Sequence, residues 1–100
     1  MTKNSLNKIK GYVGIANRAK YVIYGVDNLK GYTHKLYLVL YRQDLSKTVS
    51  KTISELQQKA LPCCALDVEE FNYITNTTNC KIFAIKNKGI SEQILKAIKE

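Results

Sequence analysis

The segment Leu36-Tyr-Leu-Val-Leu-Tyr41 is the longest apolar run of the chain, and it predicts the central element of the fold. Neighbouring side chains of a strand point to opposite faces of a sheet, so a run that is apolar throughout predicts a strand buried on both sides. Polar residues follow, and Asp44 or Ser46 can cap a helix that reaches about Ala60. The apolar face of that helix is formed by Leu45, Val49, Ile53, Leu56 and Ala60.

The elements that precede this strand have less distinct sequence patterns, but helices and strands alternate there as well. Residues 4–18 place apolar side chains at helical spacing behind a polar cap, either Asn4 or Ser5. The β-rich stretch 21–24 predicts a short strand, and the glycine-bounded stretch 26–31 predicts a short helix. The chain therefore reaches the central strand through a helix, a strand and a second helix.

The elements after the long helix follow the same rule. Pro62 breaks the helical pattern and precedes a short strand over 63–66. Asp67 and Glu70 have the spacing of a capping box, which begins a further helix. The rest of the chain predicts a polar loop, an apolar strand and a last helix, over 75–79, over 81–85 and after Gly89.

The order of these elements defines the fold class. Helices that alternate with strands predict a mostly parallel or mixed sheet covered by helices on both faces. The expected fold is therefore α/β, a three-layer α/β/α sandwich with a four-stranded mixed sheet. A chain of 100 residues can bury about two-thirds of its surface, so we expect a single domain over residues 1–100. The order of the strands within the sheet does not follow from the pattern.

The composition restricts the class of function. Sixteen lysines and arginines against eight acidic residues give a net charge of +8 and a pI near 9.5. Such an excess is typical of proteins that bind a polyanion, and we favour nucleic acid over a merely basic surface. No apolar run is long enough for a membrane span. The N-terminal segment lacks the apolar core of a secretory signal, so we expect a cytoplasmic protein with no membrane partner.

Few residues are suited to catalysis or metal binding. The cysteines, Cys63, Cys64 and Cys80, have no CxxC spacing, and the adjacent pair should face opposite sides of a strand. This favours free, buried thiols in a reducing compartment. His34 is the single histidine, and no glycine-rich nucleotide-binding motif occurs. We therefore expect a non-catalytic protein with no cofactor, no metal and no small-molecule substrate.

A binding surface is the remaining interpretation. Basic residues and tyrosines alternate around the first strand and second helix, namely Arg18, Lys20, Lys30, His34 and Lys35 with Tyr21, Tyr24 and Tyr32. Cations neutralise phosphates, and tyrosine rings can stack on unpaired bases. For the tyrosines we favour half-buried packing positions, and for Lys30 we favour a phosphate contact.

Several stretches, in this order and spacing, resemble the small bacterial members of the ribosomal L-seven-Ae / L-thirty-e family. They are Gly14-Ile-Ala-Asn-Arg-Ala19, the apolar run ending at Gly25, Leu38-Val-Leu followed by Asp44-Leu-Ser46, Pro62, and Phe83-Ala-Ile85 followed by Asn87-Lys-Gly89. The resemblance covers nearly the whole chain. It implies an L-thirty-e-like α/β/α sandwich that binds structured RNA, commonly kink-turns, with ribosomal RNA as one candidate.

The resemblance also implies where RNA would bind. The start of the second helix would enter the RNA groove through Gly25, Val26, Asp27, Asn28 and Lys30, with Lys20 nearby. A helix start offers free N–H groups to phosphate, and an asparagine can donate to a guanine acceptor. The loop before the last strand would cover a flipped-out nucleotide through Ile74, Thr75, Asn76, Thr77 and Thr78.

Three classes of function stay open at this point. The first is a non-catalytic RNA-binding protein. The second is a protein-interaction module that kept the fold and lost RNA recognition, which is favoured by Asp27, Asn28 and Gly31 at positions where the family pattern differs. The third, ranked lowest, is the RNA-recognition part of an RNA ribose methyltransferase, which would need a separate cofactor-binding subunit.

Overall fold

Helices and strands alternate along the chain in this computed structural model, which describes residues 2–32, 34–44, 47–76 and 80–99. Within those ranges the helices are α1 Lys3–Arg18, α2 Val26–Gly31, α3 Lys47–Gln58, α4 Val68–Thr75 and α5 Lys88–Lys99. The strands are β1 Val22–Tyr24, β2 Leu38–Arg42, β3 Cys63–Leu66 and β4 Ile82–Ile85. No helix in these ranges has both the length and the apolar character that crossing a membrane requires.

The sheet has the strand order β1-β4-β2-β3, and one strand is reversed. β2 and β3 are parallel, whereas β4 is antiparallel to both β1 and β2. β1, β2 and β3 therefore begin at one end of the sheet, the amino end, and finish at the other, the carboxyl end. The amino end is marked by Tyr21, Tyr37, Pro62 and Lys86, and the carboxyl end by Gly25, Arg42, Leu66 and Lys81.

The two faces of the sheet bury separate apolar layers. On one face, α1, α4 and α5 cover a core that includes Phe71, Phe83 and Ile94. On the other face, α2 and α3 cover a smaller core that includes Leu29 and Ile53. Successive residues of the central strands alternate between these layers, as the pleat requires. The predicted α/β sandwich with a four-stranded mixed sheet is therefore confirmed.

Side-chain caps begin three of the helices, namely Thr2 for α1, Asp67 for α4 and Asn87 for α5, where Asn87 Oδ1 accepts from Ile90 N–H at 2.9 Å. The capping box at the start of α4 is confirmed, because Glu70 N–H donates to Asp67 Oδ1 at 2.7 Å and Asp67 N–H donates to Glu70 Oε1 at 3.4 Å. The cap of α1 is Thr2, whose hydroxyl accepts from Ser5 N–H at 3.1 Å. The prediction of Asn4 or Ser5 as the cap is therefore wrong, since both residues lie inside α1.

The start of α3 differs from the prediction for an electrostatic reason. The helix begins at Lys47. Asp44 was expected to cap it, but its carboxylate accepts from the Arg42 guanidinium at 2.5 and 3.0 Å. A charged donor is a stronger partner for a carboxylate than a helix N–H group. The other candidate cap, Ser46, lies outside the described residues, as does Leu45 of the predicted apolar face.

Lys20 closes α1 in the left-handed conformation, with φ 63°. Tyr21 N–H donates to Ala16 O at 2.8 Å and Lys20 N–H donates to Asn17 O at 3.1 Å. These two bonds form the Schellman motif, in which glycine is the preferred residue at the Lys20 position. A Cβ atom in that conformation costs about 1–2 kcal/mol. Ala60, with φ 61°, occupies the equivalent position after α3.

We predict that Lys20→Gly raises the free energy of unfolding by about 1 kcal/mol, because it removes the strained Cβ atom. Lys20→Ala is the matched control, since it removes the same charge and keeps the Cβ atom. Urea denaturation of the three proteins measures the difference. An alanine variant as stable as the glycine variant would show that backbone strain at this position is negligible.

Candidate nucleic-acid interface

The first turn of α2 opens at the carboxyl end of the sheet. Gly25 precedes it with φ 86° and ψ 151°, a conformation that residues with a Cβ atom rarely adopt. The N–H of Gly25 donates to Ile82 O at 3.0 Å, which fixes the turn against β4. Leu29 is 3% exposed and anchors the helix in the smaller core. Val26 is half-buried against the same core, so this expected RNA contact is largely a packing residue.

The other expected contacts in α2 are accessible. Asp27, Asn28 and Lys30 are all exposed. The side-chain amide of Asn28 donates to Tyr24 O at 2.8 Å, which uses one of its two hydrogens inside the protein. That bond fixes the orientation of the amide, leaving one hydrogen and the oxygen for an external partner.

The expected covering loop begins later than the sequence suggests. Ile74 is 3% exposed and belongs to the larger core, so it cannot contact a nucleotide. Thr75 is the last residue of α4, where its hydroxyl donates to Phe71 O at 2.9 Å. The placement of these two residues in a loop is therefore wrong, because α4 continues through them. Asn76 is the exposed left-handed cap of α4, while Thr77, Thr78 and Asn79 lie outside the described residues.

The carboxyl end of the sheet collects acidic residues. Five of the eight acidic residues of the chain follow β1, β2 or β3 at this end, namely Asp27, Asp44, Asp67, Glu69 and Glu70. Carboxylates repel phosphate groups and lower the local potential. The opening of α2 therefore shares its end of the sheet with these five acidic residues as well as with Arg42, Lys47 and Lys81, whereas the RNA hypothesis expects it within a positive patch.

Arg42 is the most buried charged residue of the carboxyl end, with 7% of its surface exposed. Its guanidinium donates to both carboxylate oxygens of Asp44 and, at 3.0 Å, to Asn72 Oδ1. The guanidinium hydrogen bonds lower the pKa of Asp44 below its ordinary value of 3.8. Arg42 is therefore a structural cation that ties β2 to α4.

Asp44→Asn should lower the stability of the protein at about pH 7, and the deficit should disappear at about pH 2. Because the pKa of Asp44 is lowered by folding, its carboxylate stabilises the fold fully above the ordinary pKa. That contribution is lost as the pH falls through the lowered pKa. Denaturant midpoints across this range test the prediction. Asp27→Asn is the control, and a deficit of Asp44→Asn that persists unchanged at low pH would contradict the assignment.

The amino end of the sheet collects lysines. Six lysines lie at strand starts, at the end of β4 or in the helix turns beside them, namely Lys20, Lys30, Lys35, Lys59, Lys86 and Lys88. Two acidic residues, Glu55 and Glu92, also lie at this end. Lys20, expected near Gly25, lies instead at the opposite end of β1, because the strand separates the two residues. Lys30 is at the far end of α2 and belongs to the lysine-rich end.

Aromatic rings lie among these lysines. Lys86 Nζ lies 5.7 Å from the centre of the Tyr32 ring, and Lys35 Nζ lies 5.2 Å from the centre of the Tyr37 ring. The exposed His34 ring meets Tyr32 edge-on at 5.5 Å. The half-buried positions predicted for Tyr24 and Tyr32 are confirmed. The same prediction is wrong for Tyr21, which is 39% exposed.

An open cleft of about 820 Å³ lies between these elements. Its walls come from the end of α2, the segment before β2, the end of α3 and the start of α5. Lys30, Lys35, Lys59 and Lys88 line it together with Tyr32 and Tyr37. This cleft therefore lies at the lysine-rich end of the molecule.

The cysteines have no role in this surface. All three are free and half-buried. Cys64 and Cys80 pack against the larger core and Cys63 against the smaller one, so the adjacent pair does face opposite sides of the sheet. Burial raises the pKa of all three thiols, that of Cys63 to about 11. In the ranges that the structure covers, no group of three or more His, Cys, Asp or Glu side chains is arranged to hold a metal ion.

Comparison with known proteins supports the fold and gives no functional assignment. No protein-family model and no curated protein matches the sequence. A solved structure of a protein of unknown function from Bacillus halodurans C has a similar fold, with a TM-score of 0.74 and 18% sequence identity. The match covers 93% of this chain and 98% of the other. The chain is thus an α/β protein with a four-stranded mixed sheet and helices on both faces.

Sequence reasoning missed the residues that complete the lysine-rich end. Tyr37, Lys86, Lys88 and Ser91 were not singled out. The lysines Lys86 and Lys88 directly follow an apolar strand, which is a usable signal for a strand end. Their proximity to Tyr32 depends on the reversed direction of β4, and strand direction is not readable from this sequence.

Proposed function

We propose that this protein is a non-catalytic, cytoplasmic RNA-binding protein that binds structured RNA, with ribosomal RNA as one candidate. The observation that carries the proposal is the separation of charge between the two ends of the sheet. Six lysines gather at the amino end, whereas five of the eight acidic residues gather at the carboxyl end. The three free thiols support a cytoplasmic location, because the reducing environment of the cytoplasm keeps thiols free.

The amino end is suited to RNA for two physical reasons. Lysines that neutralise phosphates release counterions, which supplies affinity without sequence preference. Tyr32 and Tyr37 add ring surfaces beside those lysines, and unpaired bases can stack on aromatic rings. RNA with unpaired nucleotides uses both features, whereas a regular duplex uses only the first.

Residues at the start of α2 support a second, weaker contact with RNA. The resemblance to the ribosomal L-seven-Ae / L-thirty-e family assigns kink-turn recognition to Gly25, Asp27, Asn28 and Lys30. The exposure of Asp27 and Asn28 supports that assignment, whereas Lys30 lies at the far end of α2. Asp27 and the other acidic residues of the carboxyl end oppose a phosphate there. They favour the alternative, in which this opening contacts a protein partner.

We predict that Lys20→Ala combined with Lys86→Ala weakens binding to a kink-turn RNA by roughly tenfold and lowers the salt slope by about two units. The control is Lys47→Ala combined with Lys81→Ala, which removes the same charge from the carboxyl end. Fluorescence anisotropy at several salt concentrations measures both quantities. Equal losses for the two pairs would contradict an interface at the amino end.

A second RNA separates specific from general binding. A variant of the same kink-turn without its G·A pairs keeps the charge and changes the shape. Weaker binding to this variant, lost on Asn28→Ala, would support recognition through α2. Equal binding to both RNAs would limit the proposed RNA interface to the amino end of the sheet. No binding to either RNA, with a protein partner recovered on purification, would support the interaction-module alternative.

A further inference from the structure

The cleft at the amino end has the size of a small-ligand site. Its volume of about 820 Å³ falls within the range of about 300–1,000 Å³ that is typical of such sites. Its floor is apolar and includes the buried Leu29 and Leu56. Its rim is charged. An apolar floor below a charged rim fits a ligand with a flat apolar part and an ionised part.

Ser91 is the polar group on this floor that has no partner. It lies in the first turns of α5 with 2% of its surface exposed, and its hydroxyl has no hydrogen-bond partner among the described residues. Thr52, the other buried hydroxyl residue that lines the cleft, already has an interaction partner. An unpaired buried hydroxyl is unfavourable, because it has lost its hydrogen bonds to water without gaining others. A ligand with a polar atom at the floor would pair it.

The rim carries more positive than negative charge. Lys30, Lys35, Lys59 and Lys88 line the cleft against the two glutamates already named. In the part of the chain that the structure covers, none of these lysines has an ion-pair partner. The start of α5 lies at the same rim, and the positive end of a helix dipole adds to the attraction for an anion.

We propose that this cleft binds a nucleotide, with the base over the floor against Ser91 and the phosphate at the lysine rim. The rings of Tyr32, His34 and Tyr37 line the cleft and offer stacking surfaces for the base. A fatty acid also matches an apolar floor with a cationic rim, but it would leave the Ser91 hydroxyl unpaired. The nucleotide comes either from solution or from a bound RNA strand, and the cleft recognises the same chemistry in both. The inference does not depend on the proposed RNA-binding function.

Calorimetric titration with adenosine 5′-monophosphate tests the site, with adenosine and inorganic phosphate as separate probes. We expect the nucleotide to bind at least about tenfold more tightly than either part, because the cleft engages both parts. Ser91→Ala should weaken nucleotide binding by roughly threefold to tenfold. The Ser91→Ala protein should unfold at the same or a higher denaturant concentration than the natural protein, since it loses an unpaired buried hydroxyl.

The rim is tested by Lys30→Ala combined with Lys88→Ala, which should weaken nucleotide binding by roughly tenfold. Lys47→Ala combined with Lys81→Ala is the matched control and should leave it unchanged. A single-stranded hexa-adenylate RNA distinguishes the two sources. If its affinity falls on Ser91→Ala, the cleft takes a nucleotide of RNA. If only the mononucleotide responds, the cleft takes a free nucleotide.

The inference is overturned if the natural protein does not bind the mononucleotide, or if Ser91→Ala and the lysine variant bind it as well as the natural protein. Retained kink-turn binding in that case would leave the proposed function intact. Conversely, mononucleotide binding that depends on Ser91, without any RNA binding, would sustain this site and contradict the proposed function.

Discussion

The reversed direction of β4 determines which side chains meet at each end of the sheet. β4 pairs with β1 on one side and β2 on the other, and all four of its residues are buried. Because it runs against its neighbours, the chain before it lies at the carboxyl end of the sheet and the chain after it at the amino end. Lys86 thereby meets Tyr32, and the start of α5 closes the cleft from the side opposite α3.

This arrangement gives the molecule two chemically different ends. The carboxyl end holds the helix starts that acidic caps stabilise, such as the capping box of α4. The amino end holds the ends of α1 and α2, whose last turns carry Arg18 and Lys30, and cations are the favourable charges there. Much of the charge separation thus agrees with the helix dipoles, since these two helices run from one end to the other. Lys86 and Lys88 do not lie at the carboxyl end of a helix, so the helix dipoles do not account for them, and they add to the positive surface.

The elements were predictable from the sequence, but the site was only partly so. The capping box at Asp67 and the buried run ending at Tyr41 are local signals, and local signals fixed the order of helices and strands. Strand direction depends on packing across the whole domain, so the sequence could not bring Lys86 to Tyr32. In the sequence, Ser91 looks like an ordinary helix residue. Its hydroxyl lacks a hydrogen-bond partner among the described residues only because of the side chains that bury it in the fold.

We expect the amino end of the sheet, rather than the opening of α2, to be the main RNA-binding surface. Nuclear magnetic resonance mapping of backbone amides during titration with a short RNA hairpin that contains unpaired nucleotides tests it most directly. We expect the largest shifts on residues 34–37, 59–62 and 86–91. Shifts confined to residues 25–28, 42–44 and 67–70 would contradict it.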